Sequence, residues 1–341
     1  MYVVSFHQIF NENAMILARR LEVPFVVELT PKTDDVIVIF GAHEKADTLY
    51  MIQQNYRISY IIIQTEQVES KQFDNKYYME LIHNNPVIDW SKSNVERIKS
   101  KINAKVYSLY FYDFFGVDKL PSFESREIDF FFCGAKNPER EAMINQFKLA
   151  NPNSKFEIDY NYSYMNPFEL TKKLLNVKYV INIPYYKNSA LETHRINRAL
   201  SLGCEVISTL SYDDDMNKKY APYVHFVSRL NEFTTLLEIE PRANYQKLLE
   251  DFGTRDIENN IRAIQYAKKC ILAERNKNVV ENVVEKVEVL QNKVISNVEI
   301  NKPPPPLRQP VSTDFSKFLA QKKLNENKKL EPESKNVDSS V

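Results

Sequence analysis

Glycine is scarce in this chain. Only five occur in 341 residues. None falls in a G-x-G-x-x-G turn after an apolar run, which disfavours a dinucleotide-dependent oxidoreductase. A P-loop, an H-E-x-x-H helix and a G-x-S-x-G elbow are missing as well. Cysteine is almost as rare. Cys133, Cys204 and Cys270 are odd in number and widely spaced, so neither a disulfide framework nor a zinc pattern follows, and a reducing compartment is the simpler reading. Cys133 and Cys204 stand in strand-like contexts and read as small buried hydrophobes. Net charge is absent: 45 basic residues balance 45 acidic ones. No global field would gather nucleic acid or an anionic membrane. Long apolar runs are lacking too. "VIVIF" and "YIII" are far too short to cross a bilayer. The opening "MYVVSFHQIFNENAMILARR" has no cationic start before an apolar core, so no secretory signal is expected.

What is present is an alternation. With 43% hydrophobic residues the chain can fill two ordinary cores. Apolar runs at 2–6, 25–29, 35–42, 60–65, 86–90 and 105–111 are separated mostly by helical periods, near 11–21, 44–54, 74–83 and 92–102. Continuous apolar strands between helices predict a parallel sheet covered on both faces. The polar stretch "GVDKLPSFESREI" (116–128) interrupts the rhythm and marks a boundary. The alternation then restarts: strands at 129–134, 155–160, 178–184, 204–208 and 223–227, and helices opened twice by Asn-Pro, at Asn137 and Asn166. Helical stretches near 230–238 and 243–274 close the domain. The expected fold is α/β: two doubly wound, Rossmann-like domains facing a cleft, with sites outside the carboxyl ends of the strands. The expected divisions are 1–122, 123–275, a helix or short coil over 276–300, and a disordered Pro-rich, charged tail over 301–341. Val280, Val283, Val287, Leu290 and Val294 form a short a/d seam. It suits a homodimer through 280–294 or one amphipathic helix lying on its own domain.

One stretch carries chemistry: "ALETHRINRALSLGCEVIS" (190–208). "SALE" fits a capping box, with Ser189 as N-cap and Glu192 reaching back to its amide. Gly203 fits a helix stop before a buried strand. Yet 192, 196, 199, 200 and 203 share one helix face, and Ile196, Ala199 and Leu200 make that face the buried one. A carboxylate on it must meet a partner or a cleft. Lys187, His194 and Arg195 add positive groups beside a helix N-terminus, which favours phosphate. A carboxylate for sugar hydroxyls beside cations for a diphosphate is the chemistry of a nucleotide-sugar site.

Here the sequence resembles the GT-B glycosyltransferases, especially viral and bacterial members. "ETHRINRALSLGCEVIS" looks like their nucleotide-binding helix and strand. "YIIIQTEQVES" followed by "VIDWSKSNVERI" resembles their N-terminal half. "IDFFFCGAKNPERE" resembles the first strand, glycine turn and arginine helix of their C-terminal half. The resemblance spans about 1–240. It implies that Glu192 binds the donor ribose, and that Arg195 with helix amides after Ser189 holds the diphosphate. It further implies that Gly134 admits phosphate near the backbone, that Arg140 reaches it, and that Tyr185 and Asn188 touch sugar or base. The long helix near 243–274 would cross back to the first domain. One departure stands: where many such proteins carry a second glutamate, this chain has Arg198, Ala199 and Leu200. That leaves the stereochemical course open.

The implied reaction transfers a sugar from a nucleoside diphosphate to an acceptor hydroxyl of glycan, protein or lipid. Cations and amides can stabilise the leaving group without a metal, so neither metal nor cofactor is expected beyond the donor substrate. Candidate bases sit after strands of the first domain: His7, His43 and Glu66. Asp89 reads as a cap for the next helix. Two rivals remain. "DDDM" (213–216) could hold a divalent cation as in GT-A enzymes, or the fold could be a non-catalytic nucleotide or sugar binder. The balanced charge and lack of a membrane span favour a cytoplasmic protein. Enrichment in Asn, Lys, Ile, Tyr and Phe points to an AT-rich genome, such as that of a virus acting in a host cytoplasm.

Overall fold

The computed structural model describes residues 1–102, 104–160, 166–228 and 242–296, with residues 108 and 278–296 by backbone alone. The chain divides into two compact units, Met1–Asn278 and Val279–Val341. Both sheets belong to the first.

The first sheet contains β1 (Tyr2–Ser5), β2 (Phe25–Val26), β3 (Val36–Phe40), β4 (Ser59–Ile63), β5 (Val87–Asp89) and β6 (Val106–Leu109). All pairings are parallel, in the order β2-β1-β3-β4-β5-β6. Parallel neighbours need crossovers. Here α1 (Asn11–Arg20), α2 (Ala46–Asn55), α3 (Lys76–Asn84) and α4 (Lys92–Lys101) supply four of them. "VIVIF" is buried throughout because helices cover both faces. The expected strand at 25–29 is shorter. It is the edge of the sheet, and past Val26 the chain leaves it, with Val27 71% exposed.

The second sheet contains β7 (Ile128–Cys133), β8 (Phe156–Asp159), β9 (Val177–Asn182), β10 (Glu205–Thr209) and β11 (His225–Val227), in the order β11-β10-β9-β7-β8. It is also wholly parallel. Its helices are α5 (Pro138–Ala150), α6 (Pro167–Leu174), α7 (Thr193–Ser201) and α8 (Asp214–Tyr220). Asn137 and Asn166 cap α5 and α6 with proline in the first turn, as their sequence predicts. Gly203 sits just past α7 at φ +73°, the left-handed conformation a helix stop requires.

In both sheets the second strand lies to one side of the first and the third to the other. The strand order therefore reverses between β1 and β3, and between β7 and β9. Loops at the carboxyl ends of those pairs diverge and leave a crevice. His7 and Gly41–His43 follow β1 and β3; Gly134 and the segment leading to Glu192 follow β7 and β9.

Helix α9 (Tyr245–Leu248) runs through a π-turn (Leu249–Gly253) into α10 (Thr254–Ser296). Leu248, Phe252 and Ile257 pack into the core of the second sheet, while Ile264, Ala267 and Ile271 pack onto the first. The crossing back is thus observed, on one continuous helix. Gly253 makes the passage possible, since a Cβ there would stand 3.1 Å from the Phe111 ring. The expected helix at 230–238 and the tail over 301–341 lie outside the described residues. So do the side chains of the 280–294 seam, whose backbone is helical.

Candidate functional site

The second-sheet half of the site begins with Phe132, Cys133 and Gly134 at the end of β7. Two guanidinium groups stand over the Phe132 ring, those of Arg140 at 5.5 Å and Arg195 at 5.9 Å. Gly134 makes room for both: a Cβ there would lie 3.2 Å from Arg140 Nη1 and 3.2 Å from Arg195 Nη2. Glu192 completes the trio. Its Oε1 accepts from Arg140 Nη2 at 3.2 Å and from the Tyr185 amide at 3.3 Å, and its Oε2 pairs with Arg195. The carboxylate on the buried face of α7 therefore meets partners from α5, from the loop after β9 and from its own helix.

The two arginines differ. Arg140 is buried, with its guanidinium donating to Ile183 O at 2.9 and 2.6 Å and to Ala135 O at 2.9 Å. It is mainly a strut for the loops. Arg195 is more open and is aimed by Asn182, whose Oδ1 accepts from its Nη1 at 2.7 Å. Asn182 is itself fixed by Ser208 at 2.9 Å. Tyr185 lies against the Arg140 guanidinium at 5.2 Å and is 40% exposed. Lys187 and Asn188 are exposed in the same loop.

Two expectations for α7 are corrected. Ser189 is not the cap of α7. Glu192 holds that position without bonding the helix amides, and Ser189 Oγ turns back to Tyr186 O at 2.9 Å. The local box loses because the preceding backbone is drawn to the first sheet. Gln67 bonds both Ala190 N (2.9 Å) and Ala190 O (3.0 Å), and Trp90 Nε1 donates to Leu191 O at 2.9 Å. His194 is no phosphate-binding cation. It sits among Phe10, Tyr112 and Phe114, with Nε2 3.0 Å from Asn13 Oδ1. Burial, aided by Arg198 and Arg195, lowers its pKa to about 3, so it is neutral and acts as a contact to the first sheet.

The candidate bases do converge. His43 Nε2 is 3.3 Å from Glu66 Oε1 and 3.4 Å from Glu44 Oε1, and His43 Nδ1 has no hydrogen-bond partner among the described residues. Gly41, at φ +68°, lets the loop after β3 close on β1, since its Cβ would lie 3.2 Å from the His7 Cβ. His7 Nδ1 accepts from Ile9 N, and burial lowers the His7 pKa against the pull of Glu44. Glu66 is placed by a residue that sequence reasoning missed. The buried Gln64 accepts from the amides of Thr65 and Glu66 and from the Tyr78 hydroxyl.

Asp89 takes the Ser91 amide rather than capping α4, a role Ser91 fills. The acidic run at 213–216 scatters. Asp213 caps α8 and accepts from Ser91, while Asp215 pairs with Lys92 at 3.5 Å. Asp213 and Asp215 thus turn to different partners, and among the described residues no cluster of carboxylates, histidines or cysteines gathers as metal ligands.

No protein-family model and no curated protein matches the chain. Among solved structures it is similar to TarM, at 13% identity over 71% of this chain and 54% of that one, with a TM-score of 0.41. It thus spans about half of TarM's length. It is also similar to Anabaena HepE in complex with UDP (12% identity, 84% of this chain, 100% of that one, TM-score 0.42). A third likeness is to a UDP-forming trehalose-phosphate synthase from Burkholderia xenovorans (10% identity, 78% and 77%, TM-score 0.41). With TM-scores below 0.5, the functional reading rests on the residues above.

Proposed function

We propose that the chain is a GT-B-type glycosyltransferase that moves a sugar from a nucleoside diphosphate to an acceptor hydroxyl. The observation that carries this reading is the trio Glu192, Arg195 and Arg140, gathered over Gly134 at the point where the second sheet reverses its strand order. Glu192 would accept hydrogen bonds from the ribose hydroxyls. Arg195, now held by Glu192 and Asn182, would turn to the diphosphate with Arg140 behind it, and the N-terminal partial charge of α7 would add to both. Tyr185 and Asn188 would border the sugar or base.

In the reaction the acceptor oxygen forms a bond to the anomeric carbon as the bond from that carbon to the diphosphate oxygen breaks. The diphosphate leaves with the electron pair, stabilised by fixed positive groups. The acceptor proton passes to a base, for which His43 backed by Glu66, or His7, is available at the first sheet.

A thermal-shift panel of UDP, GDP, dTDP and their sugars tests the donor site. A nucleotide at a hundred times its Kd stabilises the native state by about 2.7 kcal/mol. The expected result is a shift with one nucleotide series that E192A abolishes, together with turnover of the matching sugar donor. No shift with any of them overturns the reading.

A further inference from the structure

We infer that Gln67 is a positioning residue for the donor site: the first sheet, through this side chain with Trp90 beside it, sets where Glu192 stands on the second. The inference rests on the proposed donor role of Glu192 and adds a residue to it.

The segment between β9 and α7 belongs to neither a strand nor a helix. Its course is fixed from outside. Gln67 Oε1 accepts from Ala190 N at 2.9 Å, and Gln67 Nε2 donates to Ala190 O at 3.0 Å. One primary amide satisfies both main-chain groups of a residue 123 positions away, as a neighbouring strand would. Trp90 holds the next carbonyl, Leu191 O. Glu192 follows directly. Gln67 is in turn seated by a turn, Ser70 N bonding its carbonyl at 2.8 Å. The charged side chains on its loop are engaged elsewhere: Glu66 with His43, and Glu69 with Arg97.

A primary amide both donates and accepts, whereas a carboxylate only accepts. Gln67→Glu therefore keeps the bond from Ala190 N but sets a negative oxygen against Ala190 O. Protonation restores a donor and with it the clamp. Gln67→Ala cannot recover at any pH. The experiment measures two things on the full chain, each as a ratio to wild type at the same pH. One is affinity for whichever of UDP, GDP or dTDP shifts the wild type. The other is emission of Trp90, the single tryptophan, whose indole N–H reports on Leu191. At pH 8 both variants are expected to bind nucleotide about tenfold more weakly and to emit further to the red. At pH 4.5, close to the ordinary glutamate value, Gln67→Glu returns to within about threefold of wild type with wild-type emission, while Gln67→Ala does not. A side chain that merely glues the sheets would lower the melting temperature without this pH-dependent rescue. The inference is overturned if both variants keep wild-type affinity and emission, or if Gln67→Glu is as impaired at pH 4.5 as Gln67→Ala. Failure of the wild type to bind any nucleotide sinks the donor-site reading itself, and this inference with it. The emission ratio would then report only whether Gln67 holds the segment.

Discussion

At the residue scale, two sites make sharp predictions. Gly134 separates two guanidinium groups, and a Cβ there meets both at 3.2 Å. Gly134→Ala should leave the fold intact but push Arg195 off its perch. Nucleotide affinity should drop about tenfold with little change in melting temperature, read by calorimetric titration beside thermal unfolding. His194 makes a pH prediction. Its folded pKa of about 3 lies below the ordinary histidine value because the ring is enclosed. The unfolded chain binds the proton first as pH falls, so this group's contribution is complete above about pH 6.5. It is lost progressively toward pH 3, at no more than ~1.4 kcal/mol per pH unit. Urea unfolding between pH 7 and 4 should show His194→Phe with a shallower decline than wild type. Equal slopes would show that His194 is not the group responsible. At this scale the sequence was only partly legible. Glu192 and Arg195 could be named because a helix face is a local property, and Gly134 through the family resemblance alone. Asn182, Gln64 and Gln67 could not, because each acts on a neighbour that only the folded chain supplies.

Elements were read more readily than residues. The strands were visible because burial on both faces writes continuous apolar runs, and α5 and α6 because Asn-Pro marks a helix start by itself. The start of α7 was misplaced for a physical reason. A capping box is a bond within one turn, worth about 1 kcal/mol. Here three hydrogen bonds from Gln67 and Trp90 hold the same backbone elsewhere. The end of α7 was legible because it depends on one residue. Gly203→Ala forces a side chain into φ +73° and sets its Cβ 2.8 Å from Arg126 Nη2. That arginine is buried and donates to the carbonyls of Val177 and Leu202. The substitution should cost more than about 1 kcal/mol in chemical denaturation, whereas the open Gly116, with nothing near its Cβ position, should tolerate alanine.

For the whole molecule, the two sheets share more than a crevice. Asn13, Gln67, Trp90 and Ser91 all bond across to the second half, and Arg198 of α7 pairs with Glu12 of α1 at 2.9 Å. Helix α10 adds an apolar clasp. Residues 1–278 should therefore unfold in one cooperative calorimetric transition. Two resolved transitions would show that the sheets are independently stable. Ile264→Ala, which removes a wholly buried contact of α10 with the first sheet, should lower stability by about 2–5 kcal/mol.

The clasp also bears on how the chain is made. Arg275 closes the lower rim of the first sheet by bonding the carbonyls of Asp34 and Asp35, across 241 and 240 positions of chain. A ribosome that has finished β6 must still synthesise the entire second half before that lid emerges. At typical elongation speeds the delay is on the order of ten seconds. During that interval the apolar cluster that holds Val38, Phe40 and Ile61 lacks the three side chains Ile264, Ala267 and Ile271 that complete it. Truncation before residue 264 removes those contacts and is expected to lower the soluble fraction on expression relative to the full chain.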